Sequence, residues 1–316
     1  MKKYKLTFII SFFFSVLHCQ EHGDIQTITE FKENFSIRTF AYSERHYLAR
    51  LSYNNQTIKV KNIVHPNKRT LVFSKENGGI KTMDFDTKEN FLAVGSYSGY
   101  VDIWDIKKRK LYRREKLHSG DVNVVKFIPG TSRLISVGND GNIIYLDIDD
   151  EHSIPKTVGK HNGIIRSLDF ISNGNKVVTV GNDKRIIVWD VECSSKLKEK
   201  SALSNVPSVV KYLACEKIVL VGDVEGNITI FDLKTLKEIE SFKVHNSIIS
   251  SITKVRRNEV LTSSYDGYLK RINLKSRFIY TVLNNESYIY SSFIQDSTIT
   301  FCNRKGTLKI IKNPCN

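Results

Sequence analysis

The chain has 316 residues, of which 41% are hydrophobic and 26% charged, a composition of folded globular proteins that excludes wholesale disorder. A chain of this length can bury a large core, in one extended all-β domain or in two ordinary domains. The formal net charge of +15 favours anionic partners such as phosphates, acidic proteins or membrane surfaces, although a basic surface also serves solubility alone.

The first 19 residues have the features of a secretory signal. Lys2, Lys3 and Lys5 precede the apolar run Leu6–Leu17, and polar sequence follows from Gln20. This run is too short to span a bilayer, and a basic segment leading into a short apolar one is typical of a signal peptide rather than of a buried strand or helix. We therefore predict export to the periplasm, the outer membrane or the cell surface, with secretion as the alternative.

The end of this leader allows two kinds of processing. The stretch Val16–Cys19 resembles a bacterial lipoprotein cleavage box, which implies lipidation of Cys19 and a lipid-anchored mature protein. His18 departs from the small residue expected before the cysteine, and ordinary cleavage after Cys19 is the alternative.

The remaining cysteines show no CxxC spacing, so a zinc site is not expected. Cys302 and Cys315 are the nearest candidates for a disulfide. Cys193 and Cys215 suit either pairing or a role as buried free thiols.

After the leader, short apolar runs rich in β-branched residues alternate with turns rich in Gly, Asn and Asp, which predicts strands. Ile25–Phe31 has strand-like alternation, and three strand-like runs follow at His46–Leu51, Thr57–Ile63 and Arg69–Phe73. The pattern continues to the last strand-like run, Thr307–Ile311, without a helical period.

The best-formed module is His161–Asp190, whose apolar runs are Ile164–Phe170, Val177–Val180 and Ile186–Trp189. Near copies of this module recur along the chain. The turn residues before the third run of each copy lie 39 to 44 residues apart, at Asn54, Ser98, Asp140, Asp183, Glu225, Asp266 and Lys305. A period of about 40–45 residues with four strands per unit is that of a β-propeller.

Glycine follows that turn residue in five copies, at Gly99, Gly141, Gly226, Gly267 and Gly306. Glycine permits the positive φ that a two-residue hairpin turn requires. Lys184 stands in this place in the fourth copy, so its turn is either strained or of another type.

The sequence resembles the WD-repeat β-propeller family over about residues 25–313. Trp104-Asp105 and Trp189-Asp190 match the dipeptide that marks the end of the third strand, and His118, His161 and His245 match the family's histidine turn. The resemblance implies an all-β fold, a single seven-bladed propeller of four-stranded antiparallel blades. The last copy shows only three strands, so we predict that Ile25–Phe31 completes it and closes the ring.

The resulting domain organisation is a signal peptide at 1–19 and a propeller at 20–316. The predicted blades occupy approximately 34–78, 79–117, 118–160, 161–204, 205–244, 245–284, and 285–313 plus 25–31.

The resemblance further implies a buried hydrogen-bonded set of histidine, Ser/Thr, Asp and Trp in each well-formed blade. The matching residues are His161, Thr179, Asp183 and Trp189; His118, Ser136 and Asp140; and His245, Thr262 and Asp266. A catalytic triad is the competing interpretation of the last two sets. Because the sets recur with the fold, we expect a structural role.

Partners of this family commonly dock around the central channel, on the face that carries the turns between strands and the entry to each first strand. The candidate partner-binding residues on that face are Tyr97, Tyr100, Asn139, Asn182, Lys184, Arg185, Tyr265, Tyr268, Arg304 and Lys305. Tyrosine and arginine are the side chains enriched in interface hot spots.

The most basic stretch is Lys107–Lys116, on the opposite face. Its cations suited to an anionic surface contact are Lys107, Lys108, Arg109, Lys110, Arg113 and Arg114. A charged edge strand that discourages aggregation explains the same residues. Nucleic acid is disfavoured as a partner because an exported protein rarely meets it.

The predicted function is a non-catalytic, monomeric scaffold for a protein or peptide partner in the cell envelope, without a cofactor or a metal. One alternative is a quinone- or metal-dependent propeller enzyme, but the histidines fall on structural positions and no phosphate loop or nucleophile motif is present. The other alternative is an intracellular scaffold with an uncleaved leader.

Overall fold

The structure is a computed structural model that describes residues 26–43, 45–52, 56–65, 67–74, 78–150, 152–295 and 297–313. Over these residues the chain forms 28 strands in seven four-stranded antiparallel sheets, and a short 3₁₀ turn at Ser172–Gly174. The leader with Cys19, the predicted turn at Asn54, and Cys315 lie outside the described residues. In the described part of the chain, no helix is long and apolar enough to cross a membrane.

Each sheet is one blade, and its strands follow each other in chain order. Blade one consists of β2 (Phe40–Tyr42), β3 (Tyr47–Ser52), β4 (Thr57–Asn62) and β5 (Leu71–Ser74). Blade two consists of β6 (Ile80–Phe85), β7 (Phe91–Ser96), β8 (Tyr100–Asp105) and β9 (Lys110–Lys116). Blade three consists of β10 (Val122–Phe127), β11 (Arg133–Gly138), β12 (Asn142–Asp147) and β13 (Lys156–Lys160).

The second half of the chain repeats this plan. Blade four consists of β14 (Ile165–Ile171), β15 (Lys176–Gly181), β16 (Ile186–Asp190) and β17 (Ser195–Lys200). Blade five consists of β18 (Pro207–Leu213), β19 (Ile218–Asp223), β20 (Asn227–Asp232) and β21 (Glu238–Lys243). Blade six consists of β22 (Ile249–Arg256), β23 (Glu259–Ser264), β24 (Tyr268–Asn273) and β25 (Ile279–Asn284).

Blade seven is built from both ends of the described chain. It consists of β26 (Ile289–Gln295), β27 (Thr298–Asn303), β28 (Thr307–Lys312) and, as its outer strand, β1 (Thr27–Lys32). β1 pairs antiparallel with β28, from Thr27 opposite Ile311 to Lys32 opposite Thr307. The prediction that a seven-bladed ring is closed by an N-terminal strand is confirmed.

The alternation of side chains explains why these segments form strands. In β4, TIKVKN, Ile58 and Val60 are buried whereas Lys59 and Lys61 face outward in part. The second strands are buried on both faces, as in β7, where every residue after Phe91 is buried. The middle strands of each blade therefore pack against both neighbouring blades. The clusters of buried apolar residues accordingly contain side chains from adjacent blades.

The first strand of each blade lies innermost, since the first strands of neighbouring blades contact each other. Blade one contains one strand that the sequence did not predict. This is its first strand, β2, which has only three residues. Tyr42 of β2 stacks on Phe293 of β26 with ring centroids 5.4 Å apart, which packs blade one against blade seven.

Lys184 adopts φ of 57°, in the same left-handed region as the glycines of the equivalent turns. At Gly99, Gly141 and Gly226 a Cβ atom would lie 2.0 to 2.7 Å from the carbonyl oxygen of the histidine that begins the next blade. Blade five begins with Leu203 instead, whose N–H donates to the Lys184 carbonyl. A side chain is accommodated here, and the turn is of the common type with backbone strain at lysine.

The described cysteines differ in burial. Cys302 is buried, and burial raises the pKa of its thiol. Cys193 and Cys215 are free and exposed, so the alternative that they are buried thiols is wrong for both. Both lie in turns rather than in strands, where the apolar period gives no guide to burial.

Candidate functional site

Four side chains of blade four form one buried hydrogen-bonded set. His161 Nδ1 lies 3.0 Å from both carboxylate oxygens of Asp183, and His161 Nε2 lies 2.7 Å from Thr179 Oγ1. Trp189 Nε1 donates to the same hydroxyl at 2.8 Å. The set thus connects the turn that enters the blade with β15, β16 and the turn between them.

Blades three and six contain three members of this set each, His118 with Ser136 and Asp140, and His245 with Thr262 and Asp266. The His Nε2 to hydroxyl distance is 2.9 Å in both. All three histidine side chains are fully buried, and so are the Ser and Thr residues that they contact. A substrate cannot reach these hydroxyls, so the sets serve the fold rather than nucleophilic catalysis.

The protonation of these sets follows from their surroundings. Burial lowers the pKa of His118, His161 and His245, although the neighbouring carboxylate opposes the shift. Each imidazole is therefore neutral at pH 7, and the carboxylate assigns its proton to Nδ1. Burial by itself would raise the pKa of Asp266, but hydrogen bonds from His245 and the Asn246 backbone lower it to about 2.

The residue that follows the second strand occupies an equivalent place in six blades. Its N–H donates to a carbonyl just before or at the start of the first strand, and the six residues are Tyr97, Asn139, Asn182, Val224, Tyr265 and Arg304. This repeated bond brings the six positions to the same end of the central channel. We call this end the channel mouth.

A second ring of side chains lies at the start of the first strands. It contains Arg38, Lys81, Asn123, Arg166, Ser208, Ser250 and Tyr290. Asn123, Ser208 and Ser250 each donate to the backbone carbonyl of the first-strand residue in the next blade, at 2.6 to 2.7 Å. These three side chains hold adjacent blades together, whereas the larger members of the ring are directed elsewhere.

Six residues from blades six, seven, one and two form a cluster on one side of the channel mouth. We call this cluster the aromatic arc, and it consists of Arg38, Tyr97, Tyr265, Tyr288, Tyr290 and Arg304. Tyr265 stacks on Tyr288 with centroids 5.4 Å apart and meets Tyr290 edge-on at 5.4 Å. The Arg304 guanidinium lies 5.0 Å from the Tyr288 centroid.

Arg38 connects the two halves of the aromatic arc. Its Nη1 donates to Tyr97 Oη at 3.1 Å, and its guanidinium lies 5.5 Å from the Tyr290 centroid. Burial raises the pKa of Tyr265, while the charges of Arg38 and Arg166 oppose that shift. The Tyr265 hydroxyl therefore stays protonated, within electrostatic range of both guanidinium groups.

A shallow cavity of about 250 Å³ lies at one end of the aromatic arc. It is lined by Tyr265, Asp266, Glu286, Ser287, Tyr288 and Arg304. The Tyr288 side chain is 42% exposed, and Arg304 is exposed as well. The arc thus exposes to solvent part of the Tyr288 ring and the Arg304 guanidinium that packs on it.

The structure brings together only three of the ten predicted partner-binding residues, namely Tyr97, Tyr265 and Arg304. Tyr100 and Tyr268 begin third strands, farther from the channel, and each packs under a lysine at 5.4 Å. Lys305 is exposed on the turn after Arg304.

The other predicted residues make contacts within their own blade or with the start of the next one. Lys184 Nζ donates to the Ser204 carbonyl at 3.1 Å, and Arg185 forms an ion pair with Glu199 at 2.8 Å. Asn139 Oδ1 accepts from Asn123 at 2.9 Å. Asn182 Oδ1 accepts from Arg166. These contacts leave the basic pair of blade four less available to a partner than its sequence indicates.

Sequence reasoning missed Arg38, Arg166, Tyr288 and Tyr290. A signal was present, because a buried isoleucine at the start of the first strand is followed by Arg38, Arg166 or Tyr290 in three blades. The residue after this isoleucine faces the channel mouth, at the entry to the first strand, which the predicted binding face included although no candidate residue was assigned there.

Two carboxylates line the channel at equivalent positions, Asp84 on β6 and Asp169 on β14. Each accepts from a backbone N–H of the next blade, at 2.8 and 2.9 Å. Asp169 also forms ion pairs with Lys126 at 3.2 Å and Lys211 at 3.0 Å. Burial would raise the pKa of Asp169, but these lysines lower it below its ordinary value. Burial raises the pKa of Asp84 to about 7.

The basic run on the opposite face is only partly available. Arg114 donates to both carboxylate oxygens of Asp102, at 2.9 and 3.1 Å. Arg113 donates to Glu115 and to backbone carbonyls of blade three. Lys107, Lys108 and Arg109, on the turn between β8 and β9, are exposed, and so is Lys110 at the start of β9. In the described part of the chain, no group of three or more His, Cys, Asp or Glu side chains is arranged to hold a metal ion.

Comparison with known proteins agrees with the geometry. Residues 42–158 match the model of the IFT140 second beta-propeller, and residues 153–190 match that of the WD domain, G-beta repeat. No curated protein matches the chain. The two matched segments are thus similar to WD40-type β-propellers, in keeping with the seven four-stranded blades of the structure. WD40 propellers are usually non-catalytic scaffolds that bind protein partners.

Proposed function

We propose that this chain is a non-catalytic, monomeric scaffold that binds a protein or peptide partner at the channel mouth through the aromatic arc. The observation that carries the proposal is the mutual contact of four tyrosines and two arginines on one side of the mouth. The other side presents mainly asparagine, serine and valine.

The arrangement suits binding for two physical reasons. Tyrosine and arginine dominate interface hot spots because they bury a large area and retain a polar group. The stacked rings and the Arg38–Tyr97 hydrogen bond already restrict the side chains, which lowers the entropy lost on association. Arg38, Arg166 and Arg304 form no ion pair with a described residue, whereas Lys81 is paired with Asp121 at 2.8 Å. The three arginines give the mouth a positive potential, so the preferred partner segment is acidic.

The test is affinity capture of partners from an extract of the native cells, with the purified chain as bait. The affinity of the chain for the purified partner is then measured. Tyr288→Ala and Arg304→Ala are expected to weaken binding about 30-fold each, as hot-spot truncations do. Tyr268→Ala is the matched control, since it removes a tyrosine of the same face outside the arc. Unchanged affinity in both arc variants, with the melting temperature preserved, would contradict the proposal.

We also propose that the chain acts in the cell envelope after removal of its leader, which ends at residue 18 if Cys19 is lipidated and at residue 19 if it is not. The basic and apolar leader supports export, and β1 begins downstream of Cys19, so cleavage leaves every described strand intact. N-terminal sequencing of protein from native cells is expected to begin at Gln20, or to be blocked by a lipid on Cys19. An intact Met1 would instead support the intracellular alternative. Cys19→Ser should release the protein from the membrane fraction if Cys19 is lipidated.

A further inference from the structure

A cleft of about 310 Å³ opens between blades one and two, at the end of the propeller opposite the channel mouth. It lies where the turn between β4 and β5 meets the turn between β8 and β9. The cationic side chains in its lining are Lys68 and Arg69 from blade one, and Lys107 and Arg109 from blade two. Two turns far apart in sequence thus bring four positive charges to one cavity.

The charges of this cleft are not compensated within the described chain. No aspartate or glutamate lines the cavity, and none of the four cations forms an ion pair with a described residue. Asp105 lies nearby in sequence but faces Lys108 at 3.8 Å. Glu89, on the same end of the propeller, accepts hydrogen bonds from Ser43, from His46 and from backbone N–H groups. The cleft is therefore a site of positive potential.

The rest of the lining is apolar or a hydrogen-bond donor. Val60 and Ile106 are buried and Leu71 is partly buried, so they provide an apolar surface below the cations. Asn62 is buried, and its Oδ1 accepts from the His65 N–H at 2.6 Å. That bond assigns the Asn62 amide NH₂ group as a further donor of the lining.

We propose that this cleft binds a small organic phosphate ester, with the phosphate among the four cations and the carbon skeleton on the apolar surface. A phosphate monoester carries about 1.5 to 2 negative charges at pH 7, and arginine matches its oxygens with two parallel N–H donors. A single carboxylate would leave most of the four cations without a partner. The cavity volume is at the low end for small-molecule sites, which favours a small ligand. The site shares no residue with the aromatic arc.

The phosphate can be free or belong to a lipid headgroup, and the experiment distinguishes the two sources. Titration calorimetry with glycerol 3-phosphate is expected to show saturable binding that inorganic phosphate competes with and glycerol does not. Arg69→Glu and Arg109→Glu should each weaken it at least about tenfold, the effect of losing one charge-assisted contact. Lys110→Glu is the matched control, because it reverses an exposed charge next to Arg109, at the start of β9 and outside the lining.

Sedimentation with phosphatidic acid and phosphatidylcholine vesicles tests the lipid source. Binding to these vesicles, but not to phosphatidylcholine alone, with loss in Arg69→Glu and retention in Lys110→Glu, would assign the headgroup. Absence of saturable binding to both glycerol 3-phosphate and the acidic vesicles would overturn the proposal. Equal losses in Lys110→Glu and Arg69→Glu would also overturn it, since they would show diffuse charge attraction. The double variant Lys68→Gln with Lys107→Gln removes two positive charges without reversing them. It should also weaken binding of glycerol 3-phosphate while keeping the wild-type melting temperature.

Discussion

Blades two and four both end their third strand with a Trp-Asp pair, yet only blade four uses the tryptophan as a hydrogen-bond donor. Trp189 Nε1 bonds the hydroxyl of Thr179, which in turn contacts His161. Trp104 Nε1 is buried without a hydrogen-bond partner among the described residues. Val94 stands at the position equivalent to Thr179. In each blade this residue lies two positions after the second-strand residue opposite the tryptophan in the strand register, Leu92 in blade two and Val177 in blade four. The dipeptide therefore marks the strand, whereas the neighbouring hydroxyl makes the hydrogen-bonded set.

The same two blades differ at the channel. Asp169 of blade four is paired with two lysines, and Asp84 of blade two accepts a backbone N–H but forms no ion pair among the described residues. Trp104 instead packs on Phe73 of blade one with centroids 5.0 Å apart. Blade four is held by polar contacts that depend on each other. Blade two relies on apolar packing and carries two incompletely satisfied polar groups.

The largest expected effect is on the paired carboxylate of blade four. Asp169→Asn removes the charge that Lys126 and Lys211 share, and should destabilise the fold by about 3 kcal/mol, at the low end for a broken buried pair because both lysines reach solvent. Urea unfolding at pH 7 measures this change. Asp84→Asn at the same pH is the control and should not destabilise the protein; equal losses would contradict the distinction between the two sites.

The next effect concerns the hydroxyl at the centre of the blade-four set. Thr179→Val keeps the volume but leaves His161 Nε2 and Trp189 Nε1 without partners, which should cost about 2 kcal/mol. Thr179→Ser retains the hydroxyl and should recover most of this loss. If Val and Ser cost the same, the hydroxyl has no part in the stability of blade four.

Asp84 should make stability fall as the pH rises. Its pKa of about 7 in the folded state exceeds the ordinary value of 3.8, so between these values the folded chain binds the proton more tightly than the unfolded chain. Its contribution is therefore lost progressively from about pH 4 to pH 7. Because Asp84 is only partly buried, we expect on the order of 1–2 kcal/mol.

Unfolding of Asp84→Asn measured from pH 5 to pH 8 should lack this decrease. Asp169→Asn should retain it. The histidines of blades three, four and six act in the opposite direction, because their lowered pKa values make the fold less stable as the pH falls below 6.5. A wild-type decrease that survives in Asp84→Asn would assign the titration to another group.

The smallest effect is a gain in blade two. Val94→Thr places a hydroxyl beside Trp104 Nε1. The Asp102 backbone carbonyl, equivalent in register to the Ile187 carbonyl that lies 3.4 Å from Thr179 Oγ1, can accept the proton that Thr179 gives to His161 in blade four. We expect a stabilisation of about 1 kcal/mol. The double variant Val94→Thr with Trp104→Phe is the control and should lose the gain. A destabilised Val94→Thr would show that blade two lacks room for the set.

The sequence by itself determined the blade plan, the closing strand and the members of the hydrogen-bonded sets. These depend on local patterns that repeat: two-residue alternation, the turn residues and a histidine four residues before the first strand. Because the period is nearly constant, the well-formed repeats locate the blades that lack the histidine or the Trp-Asp pair. The short β2 was not predicted, because three residues show too little alternation of apolar and polar side chains to be distinguished from a loop.

Only the tertiary structure decided which side chains meet. The aromatic arc joins residues from 38 to 304, and the cleft between blades one and two joins two turns about 40 residues apart, so neither follows from a local sequence pattern. The Trp-Asp pairs look alike in sequence, but their partners come from other strands and other blades. Contacts between blades depend on side-chain direction around the channel, which a local pattern of residues does not specify.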